Sequence, residues 1–167
     1  MSEVKFSELN LIPEMQRAID ELGFECATDI QAEAIPRIRE GRDIIGKSQT
    51  GTGKTLAFAI PAIEKIDLTE TETTVQVLIL CPTRELAIQI GDELRGLLTY
   101  YSGIRVAVLY GGAGIVGQAK QLEKKPAIVV ATPGRLMDHY NRKTIRLDKI
   151  QTVVLDEADR MLDMGFF

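Results

Sequence analysis

Apolar and polar positions divide the chain into two kinds of segment. Up to Gly41 the apolar residues recur at helical spacing. Pro13 stands where a helix can begin, and PEMQRAIDELG keeps that spacing until Gly23 stops it. Ile30, Ala34 and Ile38 line one side of a second helix, expected from Asp29 to about Glu40 and ended by Gly41. Beyond this point short apolar runs take over, and strands are expected at 43–48, 75–81, 105–110, 127–131 and 150–156. Several are rich in Val and Ile without polar alternation, which marks strands buried on both faces. Helical stretches begin between them, near Lys54, Thr83, Ile115 and Pro133. Such alternation builds βαβ units, so the expected class is α/β: a mostly parallel sheet with helices on both faces. Sheets of this kind bind ligands outside the carboxyl ends of their strands.

Composition changes this picture little. The chain has 167 residues, a usual length for one domain, and 45% hydrophobic and 26% charged residues, ordinary globular usage. A formal net charge of -4 argues against a broad basic face, so any contact with nucleic acid has to be local. Cys26 and Cys81 are far apart, no CxxC pair occurs, and His139 is the single histidine, which leaves no thiolate or imidazole metal cage. Both cysteines read as small core residues, and His139, without a motif partner, reads as a surface helix position. No apolar run has the form of a signal peptide or the length of a membrane span. A soluble cytoplasmic protein, monomeric in this form, is expected.

The first strand run leads into Ser48-Gln49-Thr50-Gly51-Thr52-Gly53-Lys54-Thr55 and then at once into the helix-forming LAFAI. A strict P-loop has Gly where Ser48 stands, so the match is partial at its first position. Gly51 and Gly53 permit positive φ and close backbone approach to phosphate oxygens. Amides at the helix start are unpaired donors in the positive end of the helix dipole. Lys54 is placed to reach the β and γ phosphates, and the Thr55 hydroxyl to ligate Mg²⁺. The bland alternative is a Gly-rich turn that caps a helix and binds nothing. A chance G-x-G-K-[ST] in such a chain has odds on the order of one in a hundred.

The last strand run delivers Asp156-Glu157-Ala158-Asp159 to its carboxyl end. Beside a P-loop, Asp156 suits a Mg²⁺ ion held partly through water, and Glu157 suits the orientation or deprotonation of an attacking water. Alone, carboxylates at a helix start are equally explained by the helix dipole.

Here the sequence resembles the DEAD-box ATP-dependent RNA helicases, through an ordered series of motifs spanning nearly all of the chain. Asp156 to Asp159 spell the family name. GFECATDIQ at 23–31 is similar to the family's adenine-recognition motif, with Thr28 and with Gln31 as the reader of the adenine edge. Ala27 and Asp29 stand where the family usually has proline. Phe6 occupies the position of the upstream aromatic that stacks on the base, though a lone Phe is also a common packing anchor. Pro82-Thr83-Arg84, Gly111-Gly112 and Thr132-Pro133-Gly134-Arg135 resemble three segments that grip the RNA backbone. Taken alone, the last is equally a turn and helix start. Amides, hydroxyls and Arg84 or Arg135 at such junctions can meet phosphates without a basic face.

The resemblance implies a RecA-like P-loop NTPase domain that uses ATP and Mg²⁺ and binds RNA through its backbone. Residues 1–31 would form an N-terminal extension with the adenine motif, and 32–167 the core of a single domain. Lys54, Asp156 and Glu157 would carry the chemistry, and Asp159 would couple this domain to a second RecA-like domain. The family's Ser-Ala-Thr segment and second domain do not follow Phe167, so a truncated form is expected, binding nucleotide weakly without turnover. Two rivals remain at this stage: a related P-loop motor acting on DNA or protein complexes, and a non-catalytic nucleotide-binding module.

Overall fold

A computed structural model describes residues 3–47, 53–69 and 75–165. Within them the chain forms two compact units, Met1–Lys65 with Glu93–Ser102, and Ile66–Asp92 with Gly103–Phe167.

In the first unit a short 3-10 helix spans Phe6–Glu8, α1 spans Pro13–Glu21, α2 spans Asp29–Arg39 and α3 spans Lys54–Glu64. Pro13 begins α1 because a first-turn residue needs no amide partner. Thr28 caps α2 by a reciprocal box: its hydroxyl accepts from the Gln31 amide, and the Gln31 side chain accepts from the Thr28 amide. The N-terminal segment pairs with the chain entering α2 through an antiparallel bridge between Lys5 and Cys26. An Ala27 amide donating to the Val4 carbonyl at 2.7 Å extends that pairing. Arg39 ties α2 to α3, with Nε 2.8 Å and Nη2 2.6 Å from the two Glu64 oxygens, and its Nη1 donates to the Leu9 carbonyl. At the far end of α1, Arg17 lies 4.0 Å from the Tyr100 ring centroid, and the Tyr100 hydroxyl donates to Glu21.

The second unit holds a four-stranded sheet. Strands β1 (Val77–Leu80), β2 (Val106–Leu109), β3 (Ile128–Ala131) and β4 (Thr152–Leu155) lie in the order β2-β3-β1-β4, and all three pairings are parallel. The central β3 is buried along its whole length, as an uninterrupted IVVA run requires. Val75, Leu78, Ala107, Leu109, Val129, Ala131, Leu136 and Ile145 form one apolar cluster on it. Helix α4 (Arg84–Leu97) follows β1, α5 (Ile115–Glu123) follows β2, α6 (Pro133–Asn141) follows β3, and α7 (Ala158–Asp163) follows β4. The α/β class and the parallel sheet expected from the alternation are present.

Two expectations are corrected. Residues 43–47 form no strand, and Ile45 is 93% exposed. An apolar run marks what a strand could bury, but a strand also needs a ladder partner, and DIIG has none among the described residues. His139 is wholly buried rather than on the surface.

Candidate active site

In the first unit the candidate nucleotide residues converge on Gly53. Its φ of +95° is left-handed, and no side chain caps α3, which starts at Lys54. A Cβ on Gly53 would lie 3.0 Å from Thr28 Oγ1 and 3.3 Å from Gln31 Nε2, so only glycine fits there. Gln31 is 2% exposed; its Nε2 donates to the Gly53 carbonyl at 3.1 Å, and its Oε1 accepts from the Thr28 amide at 2.8 Å. The amide expected to read adenine therefore also braces the turn that leads into α3. Thr55 is buried and Lys54 half-buried at the helix start, where the dipole favours an anion. Ser48, Gln49, Thr50, Gly51 and Thr52 lie outside the described residues. Phe6, expected to stack on a base, is 1% exposed, so its faces are taken up by packing and it serves as an anchor.

In the second unit the register brings four motifs to one edge. Leu80 lies opposite both Ala131 and Leu155, and Leu109 opposite Ala131, so all four strands end level. Pro82-Thr83-Arg84, Gly111-Gly112, Thr132 to Arg135 and Asp156 to Asp159 follow directly from those ends. With about 4.8 Å between neighbouring strands, the exit of β2 stands roughly 14 Å across the edge from that of β4. The carboxylates thus sit at one end of the row, and the three presumptive phosphate segments fill the rest.

Each segment has its own local cause. The Thr83 hydroxyl caps α4 by accepting from the Leu86 amide at 3.2 Å, which leaves its proton to donate elsewhere. The Arg84 guanidinium lies 5.1 Å from the Tyr110 ring centroid, and Gly112, at φ +88°, lets the loop after β2 turn beneath it. Thr132 precedes α6 without a side-chain cap, and Pro133 is its first residue. Glu157 holds a left-handed backbone at φ 54°, ψ 49°, which costs a non-glycine residue about 1 kcal/mol or more. Arg160 Nη1 lies 3.5 Å from its carboxylate. Cys81, at the end of β1, has no exposed surface, and burial with the nearby Asp156 charge pushes its thiol up to about 12. It is a core thiol and not a nucleophile.

Arg135 differs from the expectation of a phosphate contact. Its Nη1 donates to the Ala113 carbonyl at 2.9 Å and to Gln118 Oε1 at 3.1 Å, and its side chain is 13% exposed. Gln118, not singled out in the sequence, and His139, read there as a surface position, complete this cluster. His139 follows the buried Leu136 by three residues on α6, and that spacing was the available signal.

The Thr55 hydroxyl in the first unit and the Asp156 carboxylate in the second are each hard oxygen donors. Among the described residues no group of three or more His, Cys, Asp or Glu is placed to hold an ion. Hard oxygen donors suit Mg²⁺, which keeps several waters and takes the rest of its shell from phosphate.

The parallel α/β sheet, with its motifs at the carboxyl ends of the strands, defines the class as RecA-like. The chain belongs to the DEAD/DEAH box helicase family, whose profile matches residues 28–167. It is 52% identical over 162 residues to the ATP-dependent RNA helicase CshA of Listeria monocytogenes, covering 97% of this chain and 31% of that protein. With the ATP-dependent RNA helicase CshA of Limosilactobacillus reuteri it shares 54% identity over 163 residues, covering 98% of this chain and 32% of that one. The crystal structure of a DEAD box protein from the hyperthermophile Methanococcus jannaschii superposes with a TM-score of 0.89 at 43% identity, covering all of this chain and 45% of that one. The chain therefore spans about a third of the length of the curated relatives it matches.

Proposed function

We propose that this chain is the first motor domain of an ATP-dependent RNA helicase, binding Mg²⁺–ATP and the RNA backbone. In the whole two-domain protein, ATP hydrolysis would be coupled to local unwinding of RNA duplexes. The observation that carries the reading is the level row of strand ends, with carboxylates at one end and hydroxyl, amide and Arg84 donors along the rest. Phosphates need only such donors, which reconciles an acidic chain with RNA binding.

The residues divide the work. Lys54 and the amides at the start of α3 hold phosphate charge, and Gln31 presents an amide to the adenine edge while bracing Gly53. Thr55 and Asp156 would hold Mg²⁺, whose charge offsets the charge that develops on the transferred phosphoryl group. Glu157 orients the attacking water and accepts its proton, and its strained backbone fixes where the carboxylate stands. Asp159 faces the second domain. Residues 1–31 act as the recognition segment of one domain with 32–167. The protein works in the cytoplasm; no helix among the described residues is long and apolar enough to cross a membrane.

A Mg²⁺-dependent titration of this chain with ATP and, in parallel, with GTP tests the reading. A preference for ATP that Gln31→Ala removes is expected, without measurable turnover by this chain alone. Equal binding of both nucleotides would leave a general P-loop motor as the better description.

A further inference from the structure

The loop after β2 and the start of α6 carry two of the three candidate RNA segments, and a buried polar cluster joins them. Gln118, on α5, is 3% exposed and His139 has no exposed surface. Gln118 Nε2 donates to the Tyr110 carbonyl at 2.8 Å. Its Oε1 accepts from Arg135 Nη1 at 3.1 Å and lies 3.1 Å from His139 Nε2. Arg135 Nη1 also reaches the Ala113 carbonyl at 2.9 Å. One amide thus touches the residue before Gly111-Gly112 and the arginine that closes Thr132-Pro133-Gly134-Arg135.

The orientation of the Gln118 amide is forced. A guanidinium can only donate and a carbonyl can only accept, so Gln118 must turn its oxygen to Arg135 and its nitrogen to Tyr110. That oxygen carries no proton, so His139 Nε2 supplies one. His139 Nδ1 lies 2.8 Å from Thr144 Oγ1, whose hydroxyl also lies within donating distance of the His139 carbonyl, at 3.0 Å. An amide so held has one orientation, and removing it strands buried polar atoms.

We propose that Gln118 is a positioning residue for the RNA grip, holding the 110–114 loop and the start of α6 at a fixed separation through Tyr110, Arg135 and His139. Arg135 acts in the same way, from inside, and the phosphates are met by the loop amides and Thr132. The spacing of successive phosphates sets the spacing of these donors, and Gln118 keeps it. The inference rests on the reading of 82–84, 111–112 and 132–134 as RNA contacts.

The test is carried out on the full-length two-domain protein with a fluorescently labelled single-stranded RNA and a non-hydrolysable ATP analogue. Binding of each is titrated for Gln118→Leu, Gln118→Glu and Arg84→Ala, and thermal unfolding is followed alongside. Gln118→Leu loses all three bonds and is expected to weaken RNA binding about tenfold, with affinity for the analogue within about twofold. Gln118→Glu keeps the acceptor for Arg135 and His139 but not the donor to Tyr110, and is expected to fall between it and wild type. RNA binding within twofold of wild type for Gln118→Leu, while Arg84→Ala weakens it tenfold, overturns the inference and leaves the RNA reading standing. A parallel loss of RNA and analogue binding with a lowered Tm overturns it too, by assigning Gln118 to the fold at large. If neither Gln118→Leu nor Arg84→Ala changes RNA affinity, the RNA reading fails and takes the inference with it.

Discussion

Gly53 is the residue on which most of the nucleotide-side geometry depends. It combines a left-handed backbone with contact to both Thr28 and Gln31, so two separate penalties fall on any side chain placed there. The left-handed conformation alone costs an L-residue roughly 1–2 kcal/mol, and a Cβ at 3.0 Å from the Thr28 hydroxyl forces a further shift. Gly53→Ala is therefore expected to lower thermal stability by several degrees and to weaken ATP binding at least tenfold, read by thermal melting and by the same titration. Wild-type affinity in that variant would show that the brace between Gln31 and the turn is dispensable. Sequence identified Gly53, Gln31 and Thr28 because their chemistry is local. It mistook Phe6 and His139 because burial is set by what packs around a residue. A phenyl ring looks the same in sequence whether a base or the protein's own core covers it.

At the scale of elements, the join between α2 and α3 rests on Arg39. Its guanidinium bridges both Glu64 oxygens and the Leu9 carbonyl, and the Glu64 hydrogen bonds raise the arginine further above its ordinary value. The side chains are 27% and 23% exposed, so the pair stands between an exposed bridge and a buried one. Arg39→Ala is expected to cost roughly 2 kcal/mol, seen as a fall in the urea midpoint at unchanged slope. Arg39→Lys should recover little, because an ammonium cannot bridge two oxygens and a carbonyl at once. A midpoint unmoved by Arg39→Ala would mean that apolar packing alone holds the two helices.

Helices α1 to α6 and the four strands were legible from periodicity and from their stop signals, Gly23 and Gly41 among them, while the 3-10 helix at Phe6–Glu8 and α7 were not. The strand expected at 43–48 does not form over 43–47, since two adjacent isoleucines give a burial preference but not a neighbour. The left-handed Glu157 was equally invisible: no glycine announces it, and the turn after β4 imposes it.

For the molecule as a whole, function follows from strands that end level. Parallel register carries residues far apart in sequence to one edge, and the loops there hold the hydroxyl, amide, guanidinium and carboxylate groups of the candidate site. The ordered motifs made most of that edge readable in advance. Its internal bracing was hidden, because Gln118 belongs to no phosphate-binding pattern and matters only through the three groups it touches. The proposed helicase function turns on which polymer stimulates ATP hydrolysis. ATP hydrolysis by the full-length protein should be measured with single-stranded RNA and with DNA of the same sequence, alongside Glu157→Gln. RNA is expected to stimulate turnover at least tenfold over DNA, and Glu157→Gln to abolish that stimulation while leaving ATP bound. Equal stimulation by DNA, or turnover indifferent to RNA, would contradict the account.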